Sequence, residues 1–406
     1  MKPKIKKDSI FVSIASYRDP VCNSTLKSLL ENAAEPNKVF VGICQQNDNK
    51  EDQDCLENYE NNKNIRIIRI PHYEAKGPTY ARYLCSTLCD GEEYFFQIDS
   101  HTKFVKNWDK KCKDMINEIK NKGLSDKPVL SHYPKEIKDY DKYDQNSKKH
   151  TESVPRMCKS FFNNRDMISF MGAEILNTNG EYYQTPYVAG GMMFCESYFL
   201  DELPYDPDLP YLFVGEEILH SIRFYTNGWD IFTPKENIVF HEYTRSDKPK
   251  IWTDQKYSDK DAFEKVKYYI GLYNNDSKIS KNLKTNINHY GLGSKRSLND
   301  FYKYAGIIKN NKLVKKNFCK SKNIATKEDI FNSNEKNHNR KFDMKEYNEE
   351  ILPLIKDDDD IFENFEILPK SKSGKTLFFC LFVLIIITII FIIFFVNKNK
   401  KTKRKM

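Results

Sequence analysis

A carboxylate and an imidazole stand two residues apart in the stretch Tyr94-Phe95-Phe96-Gln97-Ile98-Asp99-Ser100-His101-Thr102-Lys103-Phe104. The stretch begins as a short apolar run, the pattern of a strand buried on both faces. Side chains at i and i+2 lie on one side of an extended chain, so Asp99 and His101 can converge on one point. An oxygen ligand and a nitrogen ligand placed this way suit a divalent cation such as Mn²⁺. Open α/β sheets also bind their ligands just beyond the carboxyl ends of their strands. A three-residue Asp-x-His is a weak motif and fits a solvated loop equally well, so the rest of the chain has to decide.

Other residues able to do chemistry stand at similar places. The apolar run Ile10 to Ala15 ends in the polar cluster Ser16-Tyr17-Arg18-Asp19. Gly77-Pro78-Thr79 opens a helical pattern with Arg82 one turn in, and the free N–H groups of such a helix start favour a diphosphate. Gly190 and Gly191 interrupt the apolar stretch Tyr187 to Cys195, where paired glycines mark either a bulge or a close approach of backbone to ligand. Glu216 and Glu217 follow Tyr211-Leu212-Phe213-Val214-Gly215. They read as paired carboxylates, or as first-turn charges worth roughly 0.3–1 kcal/mol to a helix. Ile238-Val239-Phe240 ends in His241, with Arg245 four residues on.

The elements needed to position these residues are also legible. Apolar runs at 10–15, 39–44, 65–70 and 94–98 alternate with helical patterns at 25–32 and 78–88. That alternation predicts an α/β fold with a largely parallel sheet and nucleotide-sized clefts at the strand ends. With 406 residues and 14% aromatic content, the chain can build one large catalytic domain plus appendages. The mean hydropathy of −0.69 excludes a polytopic membrane protein. Six of the eight net positive charges sit in the last ten residues, Asn397 to Met406, which leaves a body near +2 and no charge argument for nucleic acid.

Residues 376–396 carry no charge, and 21 residues are enough to cross ~30 Å of hydrocarbon as a helix. The expected organisation is therefore a catalytic domain over 1–275, an extension packed on it over 276–330, and a charged linker over 331–375. A transmembrane helix over 376–396 and a basic tail over 397–406 complete it. No signal-length apolar segment follows the basic start, so the span reads as a tail anchor inserted after synthesis, with the catalytic domain in the cytosol. Three lysines closely before the span and six bases after it argue for the opposite orientation. Ten scattered cysteines without a CxxC pair read as reduced thiols, in keeping with a reducing compartment.

Taken together and in order, Phe11-Val12-Ser13-Ile14-Ala15-Ser16-Tyr17-Arg18-Asp19-Pro20, Lys76-Gly77-Pro78-Thr79-Tyr80-Ala81-Arg82, Phe96-Gln97-Ile98-Asp99-Ser100-His101, Ala189-Gly190-Gly191, Gly215-Glu216-Glu217 and Tyr290-Gly291-Leu292-Gly293 resemble the GlcNAc-transferase family, glycosyltransferase family 60. The resemblance covers roughly 8–308. It implies a GT-A type fold with a mixed, mostly parallel central sheet, and a site similar to that of the polypeptide GalNAc-transferases. By the same resemblance Asp99, His101 and His241 are metal ligands for a divalent ion, Mn²⁺. Ser16, Tyr17, Arg18 and Asp19 face the uridine or ribose, Arg82 and Ser100 face the donor, and Gly190 and Gly191 face the sugar. Glu216 or Glu217 meets the sugar hydroxyls or the acceptor. Arg245 departs from the related pattern, which places an arginine three residues after the metal histidine. The implied activity is retaining transfer of N-acetylglucosamine from UDP-GlcNAc to a hydroxyl acceptor on a protein, at hydroxyproline, Ser or Thr. Two alternatives stand beside it: an inactive, membrane-anchored interaction protein on a transferase fold, and a transferase building a membrane-associated glycan.

Overall fold

In a computed structural model the described residues are 4–245, 247–273 and 286–314. The linker, transmembrane span and basic tail expected over 331–406 lie outside them, and among the described residues no helix is long and apolar enough to cross a membrane.

The elements that build the site are β1 (Lys6–Tyr17), α1 (Cys22–Glu31), β2 (Val39–Asn47), β3 (Ile65–Pro71), α2 (Pro78–Ser86), β4 (Glu92–Asp99), β5 (Thr102–Phe104), α3 (Trp108–Asn121), β6 (Pro128–Ser131) and β7 (Lys135–Glu136). They continue with β8 (Tyr183–Gln184), β9 (Met192–Glu196), α4 (Glu216–Thr226), β10 (Asp230–Thr233), β11 (Val239–His241), α5 (Ile251–Asp254), α6 (Lys260–Tyr269) and α7 (Leu298–Ala305).

Eight strands form the central sheet in the order β8-β10-β6-β9-β4-β1-β2-β3. The half β4-β1-β2-β3 is parallel throughout, and β6 pairs parallel with β10. β9 runs antiparallel between β4 and β6, and β8 is antiparallel to β10. The sheet is thus mixed, as expected, and one of its two antiparallel strands, β9, lies directly beside β4. A second, three-stranded sheet, β5-β11-β7, continues beyond the end of β4.

Period-two alternation explains why β1 and β4 are central. Ile10, Val12, Ile14, Phe96 and Ile98 enter one buried cluster with Trp108, Met115 and Ile119 of α3, while Phe11 and Phe95 enter another with Phe199 and Trp229. Both strands therefore bury large side chains on both faces, each contributing roughly 1.5–3 kcal/mol. Gly42 of β2 makes room for the Phe11 ring, since a Cβ there would lie 2.1 Å from its Cζ. α4 is buried on nearly every side, and α7 packs against it in a third cluster that includes Ile218, Ile222, Phe301 and Ala305.

One sequence expectation changes. Cys22 and Cys55 form a disulfide, and Cys158 is disulfide-bonded as well. The reading of a wholly reduced thiol set fails at these positions, because α1 and the loop after β2 fold their cysteines together across 33 residues of sequence. Thiol usage therefore no longer supports a reducing compartment. The start of α2 packs against the chain at 211–212. A Cβ at Gly77 would lie 2.9 Å from Cα of Tyr211, and Thr79 Oγ1 donates to the Leu212 carbonyl.

Candidate active site

β4 delivers Asp99 at its carboxyl end, and the tight turn into β5 brings His101 to the same side. His241 comes from β11, whose register sets His241 opposite Thr102. A backbone bond from Glu242 N–H to the His101 carbonyl, 3.1 Å, closes the pairing. One ligand atom from each of Asp99, His101 and His241 then falls within 4.8 Å of the others. The two imidazoles meet edge to face with ring centroids 4.4 Å apart.

The electrostatics suit a cation. Burial works to raise the pKa of Asp99, but the hydrogen bond from His241 and the charge of Arg82 outweigh it and hold the carboxyl well below its usual range. Burial, reinforced by the neighbouring His101, holds the pKa of His241 down, which favours the neutral imidazole a metal requires. His241 Nε2 sits 3.1 Å from Asp99 Oδ2, and its buried Nδ1 has no hydrogen-bond partner. Two imidazole nitrogens and a carboxylate oxygen form a donor set that fits Mn²⁺ or a similar divalent ion.

Arg82 is buried, with its guanidinium divided between Asp99 Oδ1 at 2.7 Å and Glu216 Oε1 at 2.5 Å. Burial alone would lower its pKa; the charges of Glu216 and Asp99 outweigh that and raise it. Arg82 thus neutralises two carboxylates, and Asp99 keeps Oδ2 directed at His241.

Gly190 and Gly191 form a turn braced from several sides. Gly190 N–H donates to Glu217 Oε1 at 2.7 Å, and its carbonyl accepts from Gln97 Nε2 at 2.7 Å. Ser131 Oγ accepts from Ala189 N–H and donates to the Met192 carbonyl. The close approach read from these glycines is to the site's own side chains: a Cβ on Gly190 would meet Arg82, and one on Gly191 would meet Asp99.

Glu216 and Glu217 have separate roles. Glu216 pairs with Arg82. Glu217 is held by the Gly190 amide and by the Tyr133 hydroxyl at 2.8 Å, and burial pushes its pKa up to about 7. A carboxyl titrating near neutrality can donate or accept a hydrogen bond.

The residues after β1 divide in two directions. Arg18, at φ 44°, turns the chain and pairs with Asp52 at 2.8 Å, Glu51 at 3.2 Å and Asp254 of α5 at 3.2 Å. The Tyr17 hydroxyl donates to the same Asp254 at 3.0 Å. Ser16 is buried, with its carbonyl accepting from Gln46 Nε2 and its hydroxyl 3.7 Å from the Cys55 sulfur. Asp19 turns the other way, to His101, Ser100 and Arg245. Asp99, His101, His241, Arg82, Glu216, Glu217, Gly190 and Gly191 form one connected cluster, with Asp19, Ser100 and Arg245 behind His101. Tyr17 and Arg18 point instead to a neighbouring acidic rim.

Sequence reasoning missed Tyr133, Gln97 and Asp254. Tyr133 lies two residues beyond β6, a strand end of the same sheet, and that position was the available signal. Asp254 had none, since only the fold brings α5 to β1.

The sequence profile of the family described as "Glycosyltransferase (GlcNAc)" matches residues 9–63 and 56–311. A search of curated proteins found no match. Among solved structures the chain is similar to GalNAc-T7 crystallised with UDP, GalNAc and Mn²⁺, at 16% identity and a TM-score of 0.49, covering 70% of this chain and 55% of that one. It thus spans about half the length of that structure. It is also similar to residues 1–349 of S. aureus TarS in complex with UDP-GlcNAc, at 15% identity and a TM-score of 0.41, covering 66% of this chain and 67% of that one. With the profile running from strand β1 past helix α7 and through every residue of the cluster, the chain belongs to the GlcNAc glycosyltransferase family.

Proposed function

We propose that the chain is a metal-dependent GT-A type transferase that moves N-acetylglucosamine from UDP-GlcNAc to a hydroxyl group, on a protein, with retention at the anomeric carbon. The observation that carries this reading is the convergence of Asp99, His101 and His241 beside the braced Gly190-Gly191 turn and Glu217. The family supports the sugar, and the donor set supports a divalent ion, Mn²⁺.

Asp99, His101 and His241 would hold the ion, which when bound supplies positive charge to a departing diphosphate. The protein's own groups supply the rest. Arg245, on the segment after β11, is the arginine best placed to add charge beside His101, because Arg82 is already committed to Asp99 and Glu216. The Gly190-Gly191 turn offers a surface without side chains on which a sugar ring can lie. Glu217 is suited to hydrogen-bond a sugar or acceptor hydroxyl. A retaining reaction does not need a carboxylate base on the acceptor. The uncharged run 376–396 supports attachment to a membrane.

The test is UDP release by the purified full chain across a panel of UDP-sugars, with Mn²⁺ and then with EDTA, followed by mass spectrometry of modified acceptors. Turnover with UDP-GlcNAc that EDTA abolishes supports the reading. Turnover insensitive to EDTA overturns the metal requirement, and absence of turnover with every donor overturns the activity.

A further inference from the structure

We propose that Asp19 is a positioning residue for His101: its carboxylate holds the imidazole through Nδ1 and leaves Nε2 as the atom offered to a divalent cation. This rests on the metal reading above and adds to it a residue that the family resemblance places with the uridine or ribose.

Asp19 is held too completely to serve as a free ligand for a nucleoside. Its side chain is 0% exposed. Oδ1 accepts from the Val21 amide at 3.2 Å. Oδ2 lies 2.7 Å from His101 Nδ1, 2.6 Å from Ser100 Oγ and 3.2 Å from an Arg245 nitrogen. A carboxylate has about four lone-pair sites; three donors of this chain bond to it, and the Arg245 charge lies beside it as an ion pair. A ribose hydroxyl would have to displace one of them inside a buried site, where an unpaired polar group is costly.

The scaffold around this contact is locked in the same register. Thr25, one turn into α1, donates to the Ser100 carbonyl at 2.8 Å and accepts from the Thr102 amide at 2.9 Å. The corner between β1 and α1 that carries Asp19, and the turn between β4 and β5 that carries His101, are therefore one unit. A histidine that binds a metal through one ring nitrogen generally donates its other N–H to a carboxylate or carbonyl. That contact sets the tautomer, aims the ring and raises its basicity. His241 lacks such a partner, as its Nδ1 is unbonded. Of the two imidazoles, His101 is the one aligned in advance, and Asp19 aligns it.

The experiment uses the full chain and Asp19→Asn, with Mn²⁺ alone as the calorimetric probe and long-range ¹H–¹⁵N spectra of the metal-free histidines. The expected wild-type result is Mn²⁺ binding and a single Nδ1–H tautomer at His101. In Asp19→Asn the Nε2–H tautomer should appear and the Mn²⁺ Kd should rise about 10–100-fold. The wild-type spectrum is decisive even if the variant does not fold, because an Nε2–H tautomer there overturns the proposal. A folded Asp19→Asn with wild-type tautomer and Kd overturns it too. A wild-type chain that binds no Mn²⁺ overturns the metal reading instead, and the tautomer spectrum separates the two failures.

Discussion

Gly191 packs so closely against Asp99 that a Cβ on it would lie 2.8 Å from Oδ2 of the carboxylate. Gly191 is not at positive φ, so the demand is for space rather than for backbone freedom. Asp99 cannot yield easily, being tied to Arg82 on one oxygen and His241 on the other. Gly191→Ala should therefore leave the fold intact and displace the Asp99 carboxylate. Misplacement by about 1 Å costs on the order of 10²-fold in rate, the loss expected in UDP release with an unchanged thermal melt.

Arg82 and Arg69 differ in burial, and that decides a second outcome. Arg82 is 7% exposed and pairs with two carboxylates, whereas Arg69 is 46% exposed and pairs with Asp54 at the surface. Removing one partner of a buried pair costs roughly 3–5 kcal/mol, and an exposed pair contributes about 0–1 kcal/mol. Urea denaturation should show Arg82→Ala destabilised by the larger amount and Arg69→Ala close to wild type. Equal shifts would mean that Asp99 and Glu216 find other compensation.

Glu217 makes stability depend on pH with a definite sign. Its folded pKa, about 7, lies above the ordinary 4.5 because burial penalises the charged form. Between those values the native state keeps a proton that the unfolded state releases, so stability falls as pH rises through that window and is flat above it. The loss is on the order of 3 kcal/mol. Glu217→Gln should remove this slope, so that its stability relative to wild type improves from pH 4.5 to pH 7. Chemical denaturation at several pH values reads the difference.

The Cys22–Cys55 disulfide closes a 33-residue separation under the loop that carries Asp52 and Asp54. Constraining the unfolded chain this way is worth roughly 2–4 kcal/mol. Reduction with dithiothreitol, or Cys55→Ser, should lower the denaturation midpoint accordingly. No shift on reduction would mean that the bond is absent from the protein as isolated.

What the sequence determined by itself was local. The apolar run into Asp99, the i, i+2 placement of His101, the paired glycines and the carboxylates opening α4 are set by periodicities of two and 3.6 residues that any window of the chain displays. The alternation of strands and helices likewise announced an α/β sheet. Only the tertiary structure decided which of these residues meet. His241 reaches Asp99 across 142 positions through the pairing of β11 with β5. Asp19 lies under His101 because α1 is bonded into the β4–β5 turn through Thr25. Arg82 turns inward because Glu216 is buried and Asp99 half-buried beside it, and Tyr133 reaches Glu217 from the end of β6. Cys22 and Cys55 bond for the same kind of reason. Pairings of this kind depend on strand register and on the neutralisation of buried charge, properties of the assembled sheet that no short segment carries.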